Sequence, residues 1–443
     1  MPSSDADALP MTEAEPSPSG GSEHRVAFAL LFVVLMVVAA GNTALQAVMP
    51  AIGRELHLSD TLVAGIYSLS SLLWAGSAPF WAAQSDRRGR KPLILFGLGG
   101  YAVSMILYGA AVLAGLHDLL PLIVVFPLLL LARAVYGLTG SATNPASQAY
   151  VADRTNVEGR TQALATLASA IGLGTVLGPA IAPFFALPPI GLSGPMFIFA
   201  GIALATLYAT ASRLPETRRE AVADEPVGEA TPSAERRPGL LRDPRVRMFL
   251  IYAFVVVSAQ AAQTQALGFL VIDTLRMPPR QAQTFIGAAM MAGAAAGLLA
   301  QWGLIRLLHM RSKDLMRWGA GAALAGNLLT AFAPDYGSVV FAFALATLGF
   351  GFARPGFTAG ASLAVDAHEQ GKVAGVMTAV IGASFILAPV GAMALYEVWR
   401  PAPFLMNAVL CAGALVMALR SGSLSHAGER VEPQPQSTNL LRG

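Results

Sequence analysis

The 443-residue chain is 55% hydrophobic and 12% charged, with a formal net charge of +3. A soluble domain has roughly a quarter of its residues charged, so this composition excludes one and points to a chain embedded in lipid. The cations gather in particular loops and form no basic stripe interleaved with aromatics, which excludes a nucleic-acid partner. The lone cysteine, Cys411, cannot make an internal disulfide and reads as a small buried hydrophobe.

In chain order, residues 1–25 are polar, acidic and rich in Ser and Pro, which predicts a disordered cytoplasmic tail rather than a secretory signal. A membrane helix needs about 20 mainly apolar residues. Twelve such runs follow, at 26–49, 62–83, 92–116, 119–143, 162–185, 195–211, 248–272, 283–307, 315–333, 338–365, 373–398 and 403–419. An even number places both termini on one side. Lys and Arg crowd the loops after runs 2, 4, 6 and 8, whereas the opposite loops hold Arg54, Arg276, Arg280 and Arg400. The positive-inside rule then makes both termini cytoplasmic.

The stretch 212–247, rich in Arg, Glu, Pro and Ala, predicts a cytoplasmic linker. It divides the chain into six-helix bundles at 26–211 and 248–421, followed by a cytoplasmic tail at 422–443. The halves echo each other. Asp153 with Gly159-Arg160 precedes run 5, Asp366 with Gly371-Lys372 precedes run 11, and Pro179 in run 5 has a counterpart in Pro389 of run 11. Repeats of this kind build transporters whose substrate site lies between the halves near the midplane.

Between runs 2 and 3 lies an abrupt knot of charge, Gln84-Ser85-Asp86-Arg87-Arg88-Gly89-Arg90-Lys91. So short a turn must sit at a membrane face, because lipid satisfies neither exposed backbone nor charge. Its cations are a topology signal, and the order of Asp86, Gly89, Arg90 and Lys91 also suits a latch: an acceptor, a tight turn, then donors.

Arg133 lies deep in run 4, within Arg133-Ala134-Val135-Tyr136-Gly137. A guanidinium inside a membrane is expensive and marks function unless it snorkels to a helix end. Arg354, in run 10, leaves both possibilities open. Run 5 carries Gly174-Thr175-Val176-Leu177-Gly178-Pro179, in which glycines four apart allow close helix approach and the proline permits a bend. Run 7 places Gln260, Gln263 and Thr264 at helical spacing on one face, as helix glue or as substrate contacts.

These motifs resemble the major facilitator superfamily, and within it the twelve-helix drug:proton antiporter family. Asp86, Gly89, Arg90 and Lys91 match the loop between its helices 2 and 3, while Ala82 and Gln84 depart from it. Arg133 and Gly137 match an Arg-x-x-Gln-Gly-like pattern, with Tyr136 in place of Gln. Gly174, Gly178 and Pro179 resemble the helix 5 motif of exporters, although Ala182-Pro183 stands where Gly-Gly is common. Leu214-Pro215-Glu216-Thr217 is similar to the end of helix 6. The resemblance implies an all-α membrane protein of twelve helices in two pseudo-symmetric bundles. It also implies a conformational switch at the charged loop, docking near Lys372, and a cavity reached by Asn42, Gln46, Tyr136, Gln260, Gln263 and Thr264, with Tyr67 and Trp74 as aromatic surface.

No carboxylate or histidine stands clearly inside a run; the stretch that often holds an acid in related antiporters reads Gly41-Asn42-Thr43-Ala44-Leu45-Gln46. Arg133 and Arg354 are then candidates for a charge relay or for a substrate anion. No nucleotide-binding, zinc-protease or serine-hydrolase motif appears. The expectation is a non-enzymatic, monomeric exporter of drug-like amphiphiles in the inner membrane, working by alternating access in exchange for protons and with no cofactor or metal. An exporter of an anionic secreted metabolite such as a carboxylate siderophore is the alternative within transport, and a non-transporting sensor the alternative outside it.

Overall fold

The computed structural model describes residues 19–155, 157–186, 190–216, 243–366 and 369–425. The expected tails at 1–18 and 426–443, and the linker at 217–242, lie outside the described residues. Helices α1 (Ser19–Glu55), α2 (Asp60–Arg88), α3 (Arg90–Leu116), α4 (Leu122–Gly140, continuing through a turn into Thr143–Asp153), α5 (Val157–Ile181) and α6 (Gly194–Arg213) form the first half. The second half holds α7 (Pro244–Leu275), α8 (Pro279–Leu298, continuing through a π-turn at Leu299–Leu304 into Ile305–Leu307), α9 (Ser312–Ala331), α10 (Tyr336–Leu363), α11 (Gln370–Val398) and α12 (Ala402–Arg420). Eleven of these are long and apolar enough to cross a bilayer. The remaining one, α9, begins with Lys313, Asp314 and Arg317, which lower its hydropathy.

Several helices run past their apolar stretches, because a helix leaving the membrane keeps its backbone paired in water. Their starts are capped by side-chain acceptors, which satisfy amides that have no partner in the first turn. The Ser59 hydroxyl accepts from the Leu62 amide, Asp243 from Arg245, and Asp335 forms a capping box with Ser338. Gly89 separates α2 from α3 at φ +93°, a conformation that needs glycine. The tight reversal between α3 and α4 runs through Asp118 at φ +55°.

Each half has its own core. Leu31, Leu45, Ile94, Tyr101, Tyr108 and Tyr150 are buried in the first, and Phe249, Tyr252, Phe357 and Cys411 in the second. The end with the α2–α3 turn is called the basic end, and the opposite one the far end. At the far end the halves merge: Ala47 of α1 packs with Leu267, Val271 and Ile286, while Phe269, Met393 and Tyr396 join the core of the first half. Toward the basic end α2 and α11 are little buried. No residue of α2 from 71 to 84 is buried on any face, and in α11 from 370 to 383 only Val373 and Met377 are.

Candidate functional site

A cavity of about 410 Å³ lies where the halves meet. Its wall is Asn42 and Gln46 from α1, Tyr67, Ser70, Ser71 and Trp74 from α2, and Arg133 and Tyr136 from α4. The second half contributes Ala261, Thr264 and Gln265 from α7, and Phe385 and Pro389 from α11. This size suits a drug-sized molecule, and the mixture of aromatic surface with a few polar groups is the usual make-up of such sites.

Arg133 is the one charged side chain in that wall, and it is 5% exposed. Its guanidinium lies over two rings, with Cζ 4.7 Å from the centroid of Tyr136 and 5.4 Å from that of Tyr67. Such stacking favours a cation by about 0.5–2 kcal/mol. Arg133 Nη1 donates to Asn42 Oδ1 at 3.1 Å, and Asn42 Nδ2 donates to the Tyr136 hydroxyl at 2.5 Å. The Ser70 hydroxyl donates to the Arg133 carbonyl at 3.2 Å and ties α2 to α4. Arg133 Nε and the Tyr67 hydroxyl are buried with no hydrogen-bond partner.

The structure therefore gathers Asn42, Gln46, Arg133, Tyr136 and Thr264, as expected, and turns the other two α7 candidates away. Gln263 is buried against α9, where its Oε1 accepts from Asn327 Nδ2 at 3.4 Å. Gln260 is half-buried and does not reach the cavity. The cavity face of α7 is Ala261, Thr264 and Gln265, so the expected face was rotated. Arg354 is exposed on α10 away from the cavity, which does not support its pairing with Arg133 around a shared anion. Gln265 and Phe385 were missed. Gln265 carried a signal as a polar residue one position beyond Thr264, whereas Phe385 is indistinguishable from core phenylalanines by sequence.

The α5 motif acts through backbone contact. A β-carbon at Gly174 would meet the Met36 carbonyl of α1 and lie 2.9 Å from Ala40 N; one at Gly178 would meet the Ala40 carbonyl and the Thr43 hydroxyl. The glycines thus bring α5 onto the helix that carries Asn42. Pro179 faces the other half, with its carbonyl oxygen 2.6 Å from where a β-carbon on Gly287 of α8 would lie.

Ion pairs close the far end across the halves. Arg54 Nη2 donates to Asp60 Oδ2 at 2.7 Å and to Asp273 Oδ2 of α7 at 3.4 Å. Asp273 also accepts from the Tyr396 hydroxyl at 2.7 Å and pairs with Arg400 at 3.4 Å. The Thr61 amide donates to Glu397 Oε1 at 2.8 Å, and Arg280 pairs with Glu55 at 3.4 Å. The three arginines Arg54, Arg280 and Arg400, noticed in the sequence only as sparse cations, belong to this closure; the carboxylates opposite them went unremarked.

At the basic end the described ion pairs stay within a half. Arg90 Nε donates to Asp153 at 3.0 Å and Nη1 to the Ser85 hydroxyl at 2.9 Å, while Arg245 pairs with Asp243 and Glu369. Lys91 donates its amide to Glu216 and its Nζ to the Ala211 carbonyl, so the loop latches onto the ends of α4 and α6. The described donors of the loop are thus taken up inside its own half, and none of these contacts reaches Lys372. The Asp86 side chain lies outside the described residues.

A model of the Major Facilitator Superfamily matches residues 31–382. The chain is similar to multidrug resistance protein 2 of Bacillus subtilis (strain 168), with 23% identity over 390 residues covering 87% of this chain and 92% of that protein. It is also similar to the tetracycline resistance protein, class C, of Escherichia coli, at 25% identity over 409 residues and 90% and 98% of the two chains. Among solved structures, the fold is shared with a bacterial homolog of the human lysosomal transporter Spinster in an inward-facing and occupied conformation (TM-score 0.65, 12% identity, 91% and 94% of the two chains). It is likewise shared with the human organic anion transporter MFSD10 (TETRAN) (TM-score 0.62, 18% identity, 89% and 99%).

Proposed function

The chain belongs to the Major Facilitator Superfamily, and on that premise we propose that it exports amphiphilic small molecules across a bacterial inner membrane, in exchange for protons. It is a multi-pass membrane transporter. The observation that carries the reading is the cavity at the junction of the halves, closed at the far end by pairs that cross from one half to the other and flanked at the basic end by helices that are little buried. Rocking of the halves around that cavity is alternating access. By the positive-inside rule we read the basic end and both termini as cytoplasmic, so that this conformation loads from inside. One chain contains both halves and the whole cavity wall, so a monomer suffices. Relatives named for multidrug and tetracycline resistance support export as the direction.

No Asp, Glu or His lines the cavity among the described residues. The acids nearest the junction, Asp60, Asp273 and Glu397, stand in the far-end closure beside Arg54 and Thr61. The test is transport in proteoliposomes with an imposed pH gradient, against a panel of anionic, neutral and cationic amphiphilic dyes. Gradient-dependent movement of at least one dye is expected; movement of none, by protein that is folded and correctly inserted, would refute the exporter.

A further inference from the structure

We propose that the cavity is an anion site. It would select, among amphiphiles, those carrying a carboxylate or an equivalent single negative charge, held by Arg133 in the corner that Tyr67 and Tyr136 wall. The inference rests on the exporter reading and names its substrate class.

The argument is a count of donors against acceptors. Arg133 spends Nη1 on a neutral amide oxygen, and its Nε has no acceptor. The Tyr67 hydroxyl is buried without a partner. The Tyr136 hydroxyl accepts from Asn42, and its own proton has no described acceptor. Two tyrosine hydroxyls thus stand beside one fixed cation, and among the described residues no carboxylate lines the wall to answer it. Buried donors without acceptors are costly, and a buried cation without a counter-ion more so. Snorkelling is not open to Arg133, because the two rings clamp its guanidinium while it is 5% exposed. A ligand anion beside Arg133 supplies the counter-charge that the wall lacks, and guanidinium has the geometry for carboxylate.

The remaining wall decides what the anion is attached to. Trp74, Phe385 and Pro389 give apolar surface beside the charged corner, so the ligand is an apolar or aromatic body with one charged end. A cationic amphiphile in this cavity would meet Arg133 with no acid to offset it.

The test uses three probes that share the naphthalene body and differ in the charge of the head group: 2-naphthoate, 2-naphthamide and 2-naphthylmethylammonium. Each is titrated calorimetrically at pH 7 into purified full-length protein, in a non-ionic detergent so that no anionic lipid competes. The carboxylate should bind at least tenfold tighter than the amide, with the ammonium weakest. In Arg133→Gln the carboxylate should fall to within about twofold of the amide, and Arg133→Lys should keep part of the preference. Should Arg133→Gln fail to fold, the three wild-type titrations still decide. Wild-type protein binding the amide or the ammonium as tightly as the carboxylate overturns the anion site, as does a tenfold carboxylate preference that survives in Arg133→Gln. The two readings fail differently. If neutral or cationic amphiphiles are bound and moved without preference for the anion, the exporter stands and only the anion site falls. If no amphiphile of any charge is bound or moved, the exporter reading falls and takes the anion site with it.

Discussion

Replacing Gly287 by Ala tests whether the far-end closure is a contact between moving halves. A β-carbon there would lie 2.6 Å from the Pro179 carbonyl oxygen and 3.1 Å from Pro183 Cγ. Carbon–oxygen contacts settle at about 3.3–3.6 Å, so α5 and α8 must separate by about 0.7–1 Å. Overpacking of this kind costs ~1–3 kcal/mol. Since α5 belongs to one half and α8 to the other, the cost falls on the far-end-closed state and is relieved when the halves part. The equilibrium should therefore move toward the far-end-open state by roughly 5–150-fold. Spin labels on cysteines at Leu119 and Val398, both exposed at the far end on opposite halves, would read the change as a longer component in the electron–electron distance distribution. Cys411 is buried and does not compete for label. Gly174→Ala is the control: its added carbon meets Met36 and Ala40 on α1, in the same half, so it should lower thermal stability and leave the distances alone. The reasoning fails if folded Gly287→Ala keeps the wild-type distribution, or if Gly174→Ala shifts it equally.

Three further outcomes follow from the same geometry. Asp273→Asn removes the negative charge shared by Arg54, Arg400 and Tyr396; with Arg54 and Arg400 partly exposed, the loss is about 1–2 kcal/mol. It should lengthen the same label distance, and an unchanged distance would remove Asp273 from the closure. Gly178→Ala sets a carbon against the Ala40 carbonyl and Thr43 and should destabilise the first half by ~1–3 kcal/mol, seen as a lower unfolding temperature in detergent; an unaltered temperature would mean that α1 and α5 separate freely. Arg90→Gln strips Asp153 of its Arg90 partner and should cost about 1–3 kcal/mol of stability given that Asp153 is a quarter exposed, seen as a lower unfolding temperature, and no change would reduce the loop to a topology signal.

The twelve helices, their order and the charge asymmetry of the two ends were legible because each is a one-dimensional property. A bilayer demands a certain apolar length, and it penalises charge locally, so run lengths and loop cations carry the information on their own. The break at Gly89 belongs to the same class, and so does the position of Arg133 inside the chain's apolar part: a guanidinium in the middle of an apolar run is conspicuous without any neighbour being known. Gly174 and Gly178 were also readable as sites of close approach, though not as contacts with α1 in particular.

Tertiary structure decided which way α7 turns. Polar residues on a membrane helix serve equally as glue and as cavity wall, so the pattern at Gln260, Gln263, Thr264 and Gln265 does not choose; packing of Gln263 on Asn327 does. It also decided the far-end closure, in which Arg54 meets Asp273 and the Thr61 amide meets Glu397 over separations of 219 and 336 residues. Each of those charges lies at a helix end, where water tolerates it singly, so nothing in the local sequence requires a partner. The arrangement of the halves lies further still from the sequence, because it turns on contacts such as Arg54 with Asp273 and Arg280 with Glu55 that only the assembled halves express.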